Sequence, residues 1–393
     1  MSEWKEKTLG ELSIRVSSGL TPLKSNKEFW ENPIIPWLKT DQLGEKYIFD
    51  TNTKISKEAL EQTSLKIYPE NTISIAMYGE GKTRGNLSII KAPMTTNQAC
   101  CNIELDTKLA DVEYVYYYLK TQYDALRKLS SGVRKNLSSN DIKNYKIYIP
   151  ESVSFQKSIV RILTSLDNKI SVNNQINQEL EAMAKTLYDY WFVQFDFPDQ
   201  NGKPYKSSGG KMVYNPELKR EIPEGWGVTK VGELQIATGK RDANFGTENG
   251  KYDFWTTANS PIKADEFSFE GKAILIAGNG NFYVNFTEGK FEAYQRTYVI
   301  QSGDENMLIF MYMACLQSVE KLRKGSNGSI IKYITIGDVN NISSPYNKKV
   351  VDEFVRIYSP LIDLISKNKI QNQELTQLRD WLLPMLMNGQ VII

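Results

Sequence analysis

Leu126-Arg127-Lys128-Leu129-Ser130-Ser131-Gly132 returns about 195 residues later as Leu322-Arg323-Lys324-Gly325-Ser326-Asn327-Gly328. Working outward, Val160-Arg161-Ile162 matches Val355-Arg356-Ile357, and Asn177-Gln178-Glu179-Leu180 matches Asn372-Gln373-Glu374-Leu375. The intervals between blocks are nearly the same in both copies. Upstream, Trp4 and Leu9-Gly10-Glu11-Leu12-Ser13-Ile14 pair with Trp226 and Val231-Gly232-Glu233-Leu234-Gln235-Ile236 at a larger offset, so the second copy is shorter somewhere in its middle. Solenoid units run about 20–50 residues. A period this long means two whole domains, each followed by its own helix.

The 393 residues give room for such domains to bury real cores, and 41% apolar with 24% charged residues is ordinary for a globular chain. No apolar stretch approaches the roughly 20 residues that span a bilayer, and the charged start Met1-Ser2-Glu3-Trp4-Lys5-Glu6-Lys7 lacks a signal-peptide core. Cys100, Cys101 and Cys315 form no disulfide framework and no metal spacing. A cytoplasmic protein with no membrane partner is expected. The chain has no histidine, which excludes His-based triads, general bases and metal sites. A net charge of +2 does not announce a nucleic-acid partner, so any such surface must come from local clustering.

Thr72–Met77 reads as a buried strand ending at Gly79-Glu80-Gly81, and Lys272–Ala277 as its counterpart ending at Gly278-Asn279-Gly280. Val112–Leu119 and Asn306–Leu316 read as matching helices leading into the Leu-Arg-Lys blocks. From about residue 155, Ile159, Ile162, Leu163, Leu166, Ile170, Ile176, Leu180, Met183 and Leu187 recur at three- and four-residue steps. That spacing predicts an amphipathic helix of about 38 residues, about 57 Å long. As heptads, Leu180, Met183 and Leu187 fall at a, d and a, like Leu375, Leu378 and Leu382 in the second copy. Asn173 and Asn368 take equivalent a positions, where a polar residue fixes register at some cost in stability. The two helices are read as one coiled coil; the plainer alternative packs each on its own domain. Pro360 is expected to kink the second helix or split off a short leading one. Residues 196–225, rich in Gly, Pro and Ser and without periodicity, read as a flexible connector.

Three motifs look chemical. Ala76-Met77-Tyr78-Gly79-Glu80-Gly81-Lys82-Thr83 matches a relaxed P-loop after a strand, but Arg84-Gly85-Asn86-Leu87 begins another strand, so no helix N-terminus cradles a phosphate. Lys82 and Arg84 then read as phosphate contacts or as parts of a surface turn. Asp199 with Glu217 and Lys219 fits a loose metal-dependent nuclease pattern, yet one half lies in the connector and the other beside Pro216. Gly278-Asn279-Gly280 lacks the downstream proline-rich motif of an adenine methyltransferase. The basic blocks carry more: Arg127, Lys128, Ser131, Arg134, Lys135 and Asn136 around Gly132, and Arg323, Lys324, Ser326, Asn327 and Lys332 around Gly328. Guanidinium groups in such loops pair with phosphates or guanine edges, and small polar side chains make other base contacts. A solvated helix end is the ordinary alternative, and recurrence in both copies favours double-stranded DNA. Lys39, Thr40, Gln98, Gln295 and Arg296 are further candidates.

The chain resembles the specificity subunit of type I restriction-modification enzymes. The resemblance rests on the duplicated domain–helix plan, the Asn-Gln-Glu-Leu helix segments and the connector. The connector runs from Tyr190-Trp191-Phe192 through Phe197-Pro198-Asp199 and Gly202-Lys203-Pro204-Tyr205 to Ile222-Pro223-Glu224-Gly225-Trp226. It implies an α+β fold: two similar target recognition domains separated by two long antiparallel helices, a coiled-coil spacer, with pseudo-twofold symmetry from internal duplication. Residues 1–150 and 226–346 would be the recognition domains, 151–195 and 347–393 the spacer helix regions, and 196–225 the connector. It further implies a noncatalytic reader of a bipartite asymmetric DNA target, whose helices set the gap and dock two modification subunits. Those partners, not this chain, would bind S-adenosylmethionine, and a separate restriction subunit would translocate and cut. The alternatives are the nuclease and a coiled-coil scaffold that never touches DNA.

Overall fold

The runs Ile73–Ala76 and Ala273–Ala277, apolar except for Ser74, are buried at every residue, and each forms an inner strand of a sheet. The computed structural model describes residues 3–79, 83–129, 136–326, 328 and 332–391. The chain divides into two units, Met1–Val172 with Ile370–Ile393, and Asn173–Lys369.

In the first unit the sheet order is Ser13–Ser18, Cys100–Leu105, Ile73–Ala76, Leu87–Ile90, all antiparallel, with Tyr47–Ile48 added parallel at the edge. In the second unit Gln235–Thr238, Thr297–Gln301, Ala273–Ala277 and Val284–Thr287 repeat that antiparallel order. A smaller sheet accompanies each. Ile35–Leu38 pairs parallel with Thr95–Thr96 and antiparallel with Lys54–Ile55; Tyr252–Trp255 pairs parallel with Lys290–Ala293 and antiparallel with Ile262–Ala264. A two-stranded pairing closes each domain, Trp4–Thr8 with Lys146–Pro150 and Gly227–Lys230 with Ser343–Tyr346. The two copies therefore share one topology, and the second is shorter between Gly239 and Ala273 than the first between Gly19 and Ile73.

The helices on these sheets begin alike. Asp111 caps Val112–Thr121 by accepting from Tyr114 N, and Asp304 caps Glu305–Gly325 by accepting from Met307 N. Reciprocal capping boxes open the short helices Ser139–Lys143 and Ile336–Asn340, Ser138 with Asp141 and Thr335 with Asp338.

The long helices are Val153–Tyr188, 36 residues, and Lys348–Met387, 40 residues. Each contributes one part to each unit. In the first unit Arg379 donates to Asp167 at 3.0 Å, and Leu386 and Met387 join the core containing Ile159 and Leu163. In the second unit Asn368 donates to Asn177 at 2.9 Å, and the rings of Tyr188 and Phe354 lie 6.0 Å apart. Within each unit the partner number falls as the first helix rises, so the helices run antiparallel. The second helix is not split at Pro360. Pro360 and Arg356, whose carbonyl it deprives of a donor, both lie on the exposed face, where water can supply the missing bond.

The heptad assignment needs one correction. Asn173, Asn177, Ala184 and Tyr188 are buried and Leu180 is half-buried, whereas Met183 is 58% exposed. On the second helix Ile365 and Asn368 are buried and Leu375 and Leu382 half-buried, while Leu378 is 43% exposed. Met183 and Leu378 therefore lie off the seam. Their hydrophobicity suggested a core position, but the inward places beside them are taken by buried Ala184 and by Arg379, which bonds Asp167. Asn177 and Asn368 together form a polar seam contact. Replacing both by leucine is expected to raise the melting temperature while loosening register, because a buried amide pair specifies alignment at a cost in stability. Thermal melts combined with disulfide trapping across the helices would check this, and a lower melting temperature with one trapped register would contradict it.

Different chemistry holds the helices in the two units. In the first, Asp167 bonds Arg379, Lys46 and the Tyr117 hydroxyl, and Lys46 also reaches Glu113 at 2.8 Å. In the second, Tyr188, Trp191, Phe192, Phe310 and Phe354 form one aromatic cluster. Trp191 and Phe192 sit in a π-helical turn, Asp189–Val193, that ends the first long helix. The segment expected to be a flexible connector is built into this core. Phe197 stacks on Tyr205 at 4.8 Å and packs on Trp226 at 4.9 Å, and Met212–Asn215 pairs with Arg220–Pro223 as a hairpin. Its apolar anchors are irregularly spaced, which is why periodicity missed them.

Candidate nucleic-acid interface

Both domains assemble the same six segments at the same end of the main sheet. In the first domain that end is where Ala76 faces Cys100 across the strands. Met77 N donates to Ala99 O at 2.8 Å and Leu137 N to Met77 O at 3.1 Å. These bonds place the turn Asn97–Gln98–Ala99, the loop after Met77 and the segment from Asn136 side by side. Arg127 Nη1 donates to Arg84 O at 3.1 Å and to the Tyr123 hydroxyl at 2.6 Å, which draws the basic block onto the same loop. Asn97 N donates to Leu38 O at 2.9 Å, bringing Lys39 and Thr40 beside the turn. Gly19 N donates to Cys100 O at 3.1 Å, and Thr21 donates its hydroxyl to the Gln98 amide oxygen.

The second domain repeats the backbone links. Ala277 faces Thr297, Gly278 N donates to Arg296 O at 2.7 Å, and Ile334 N donates to Gly278 O at 3.0 Å. Gly280 N donates to Lys332 O at 2.9 Å, and Arg323 Nη2 donates to Asn281 O at 3.3 Å. Tyr294 N donates to Trp255 O as Asn97 N does to Leu38 O, and Gly239 N donates to Thr297 O at 3.1 Å. In both copies an arginine of the basic block clamps the loop that follows an inner strand. Sequence reading placed Arg127 and Arg323 among phosphate or base contacts; the fold gives each a loop-holding bond as well.

Among the other candidates, Lys128, Gln98, Gln295, Arg296, Lys324 and Lys332 are exposed, and Lys39, Thr40, Arg84, Asn136 and Ser326 are half-buried. Lys39 lies 3.7 Å from Asp41, and Ser326 donates to Arg323 O. Lys82, Ser131, Arg134, Lys135 and Asn327 lie outside the described residues. The surface offers cations beside neutral amides on backbone-fixed turns. Cations suit phosphates and amides suit base edges.

Sequence reasoning missed Gly19, Gly239, Thr21, Arg241 and Glu292, which hold the turns. The only signal for the two glycines was their similar place after the first sheet strand of each copy.

The chemical look-alikes resolve structurally. The strand after Thr83 is Leu87–Ile90, antiparallel to Ile73–Ala76, so this is a strand–loop–strand and not a P-loop. Asp199 is occupied by Asn201 N and Lys203 N, at 2.7 and 2.8 Å, and Glu217 pairs with Lys230 at 2.6 Å. Among the described residues no group of His, Cys, Asp and Glu could hold a metal ion. Burial pushes the Cys100 and Cys101 thiols up to about 12, and that of Cys315 also upward, so all three stay protonated at neutral pH and lack thiolate reactivity. No helix among the described residues is long and apolar enough to cross a membrane.

A model of the type I restriction modification DNA specificity domain matches residues 1–182 and 223–379. The MjaIX type I restriction enzyme specificity subunit of Methanocaldococcus jannaschii is 28% identical over 99% of this chain and 94% of that protein. The HindI type I restriction enzyme specificity subunit of Haemophilus influenzae is 22% identical over all of both. Among solved structures, the S subunit of a type I restriction-modification system from M. genitalium superposes with a TM-score of 0.61 at 16% identity, covering 98% of this chain and 96% of that one. This last likeness shows the fold.

Proposed function

This chain belongs to the type I restriction-modification DNA specificity family, and from that premise we propose that its two matching sheet ends read the two halves of one bipartite, asymmetric DNA target. Proteins of this kind are noncatalytic DNA-recognition subunits; the nuclease alternative is not favoured. The carrying observation is the repeated construction: the same loop, turn and basic block, joined by equivalent backbone bonds, in both domains.

In this reading Lys128, Lys324 and Lys332, with Lys82, Arg134 and Lys135, contact phosphates and set position on the duplex. Lys39, Thr40, Arg84, Arg127, Arg323, Gln98, Gln295, Arg296, Ser131, Asn136, Ser326 and Asn327 complete the two contact surfaces. Residues 1–150 and 226–346 are the recognition domains. The paired helices, 36 and 40 residues long, set the gap between half-sites. Outward-facing Met183, Leu378 and Trp381, the last 64% exposed, suit docking of two modification subunits. S-adenosylmethionine belongs with those partners, and a separate restriction subunit completes the complex, which works in the cytoplasm.

The test is a methylome. The chain is co-expressed with its modification subunit in a host lacking adenine methylation, and modified adenines are mapped genome-wide. A single split motif, two short halves around a fixed gap, is expected. A pair that co-purifies and leaves no motif would overturn the reading.

A further inference from the structure

Glu292 is a carboxylate with no exposed surface. A buried charge persists only when it is paired and hydrogen-bonded, and three donors meet this one. Ala293 N reaches Oε1 at 2.9 Å, the Ser268 hydroxyl reaches Oε2 at 2.7 Å, and Arg241 Nε reaches Oε2 at 3.3 Å. The Arg241 guanidinium also bonds Glu266 at 2.5 Å and lies 4.2 Å from the Phe245 ring centroid. Its main chain does something else: Arg241 O accepts from Gln295 N at 2.9 Å.

The turn carrying Gln295 is thus pinned at each residue. Tyr294 N is held by Trp255 O, Gln295 N by Arg241 O, and Arg296 O by Gly278 N. Only the Gln295 and Arg296 side chains are exposed. A glutamine amide matches adenine N6/N7 bidentately, and an arginine matches guanine O6/N7. Rigid presentation is what such readout needs. The neighbouring Lys324 and Lys332 carry point charges that suit the sequence-independent phosphate contacts.

We propose that the Gln295–Arg296 turn reads base edges in one half-site, and that Arg241, seated on buried Glu292, is the positioning residue that holds it there. This rests on the DNA-reading function proposed above and names the element that carries specificity. In the first domain the corresponding turn bears Gln98, and Thr21 stands where Arg241 does. That domain has a hydroxyl contact and not an ionic latch, so the effect belongs to one half of the target.

The experiment uses the full chain with its modification subunit and reads the methylome of four variants. Arg296→Ala and Gln295→Ala are expected to relax one or two base positions by about tenfold or more in a single half, leaving the other half and the gap unchanged. Arg241→Lys keeps the charge beside Glu292 but loses the fork and the ring contact, and is expected to relax the same half. Lys324→Ala is expected to lower methylation evenly across sites without altering the motif. An unchanged motif in both turn variants and in Arg241→Lys, even with reduced methylation, overturns the assignment. Absence of any split motif with the unmodified chain is a different result, and sinks the DNA-reading function itself.

Discussion

Gly239→Ala is expected to abolish recognition of one half-site while leaving the chain largely folded. Gly239 N is bonded to Thr297 O, and a Cβ there would overlap the carbonyl oxygens of Ala293 and Tyr294. Both obstacles are backbone atoms within sheet and turn, so no side-chain rotation relieves the clash. The segment carrying Arg241 must move away from the turn carrying Gln295, or the turn must move with it. Overpacking of this kind costs about 1–3 kcal/mol of stability, which a domain of ordinary stability survives. Recognition is less forgiving, because displaced side chains would lose the base contacts proposed for them, and each lost match costs about 1–3 kcal/mol. Since both halves must be read together, methylation of the split motif should fall to background. Gly19→Ala should do the same through Thr96 and Asn97 in the first domain. A methylome and a thermal melt on each variant give the answer. Full methylation of an unaltered motif would refute the argument.

Phe192→Ala is expected to destabilise the second unit by about 3–5 kcal/mol, the usual loss for a fully buried phenylalanine. Its ring has no exposed surface and lies 4.8 Å from that of Phe310, 5.2 Å from those of Tyr188 and Phe354, and 5.9 Å from that of Trp226. Those partners come from both long helices, the sheet-packing helix and the connector's end, so one truncation loosens four segments. Loss of this size approaches the whole stability of many domains. Hydrogen exchange should show protection lost in Ala273–Ala277 and Thr297–Gln301 and kept in Ile73–Ala76. Uniform protection in all three strands, with a stability change under about 1 kcal/mol, would mean the cluster is not the unit's keystone.

Much of this architecture is legible before folding. The repeated Leu-Arg-Lys and Asn-Gln-Glu-Leu blocks reveal the duplication, and three- and four-residue apolar steps reveal both long helices. Ser138 to Asp141 and Thr335 to Asp338 carry a capping signature, Ser or Thr followed three residues later by Asp, that periodicity alone passes over. The interface is only half legible. Cations and amides clustered near Gly132, Gly328, Gln98 and Gln295 mark a region, but nothing local shows that Arg127 and Arg323 clamp loops. The same holds for Met183 and Leu378, which face solvent while the adjacent Ala184 is buried and the adjacent Arg379 turns inward to Asp167.

By itself, the sequence determined what depends on local pattern: two domains of one topology, two long amphipathic helices, and no histidine-based chemistry. Tertiary structure alone decided which residues meet. Thr21 finds Gln98 across 77 positions and Arg241 finds Glu292 across 51, because strand pairing brings distant segments to one sheet end. Local periodicity records which face of an element is buried. It does not record which carbonyl, carboxylate or ring waits on the other side, and that choice is what pins one turn of an ordinary sheet at each residue.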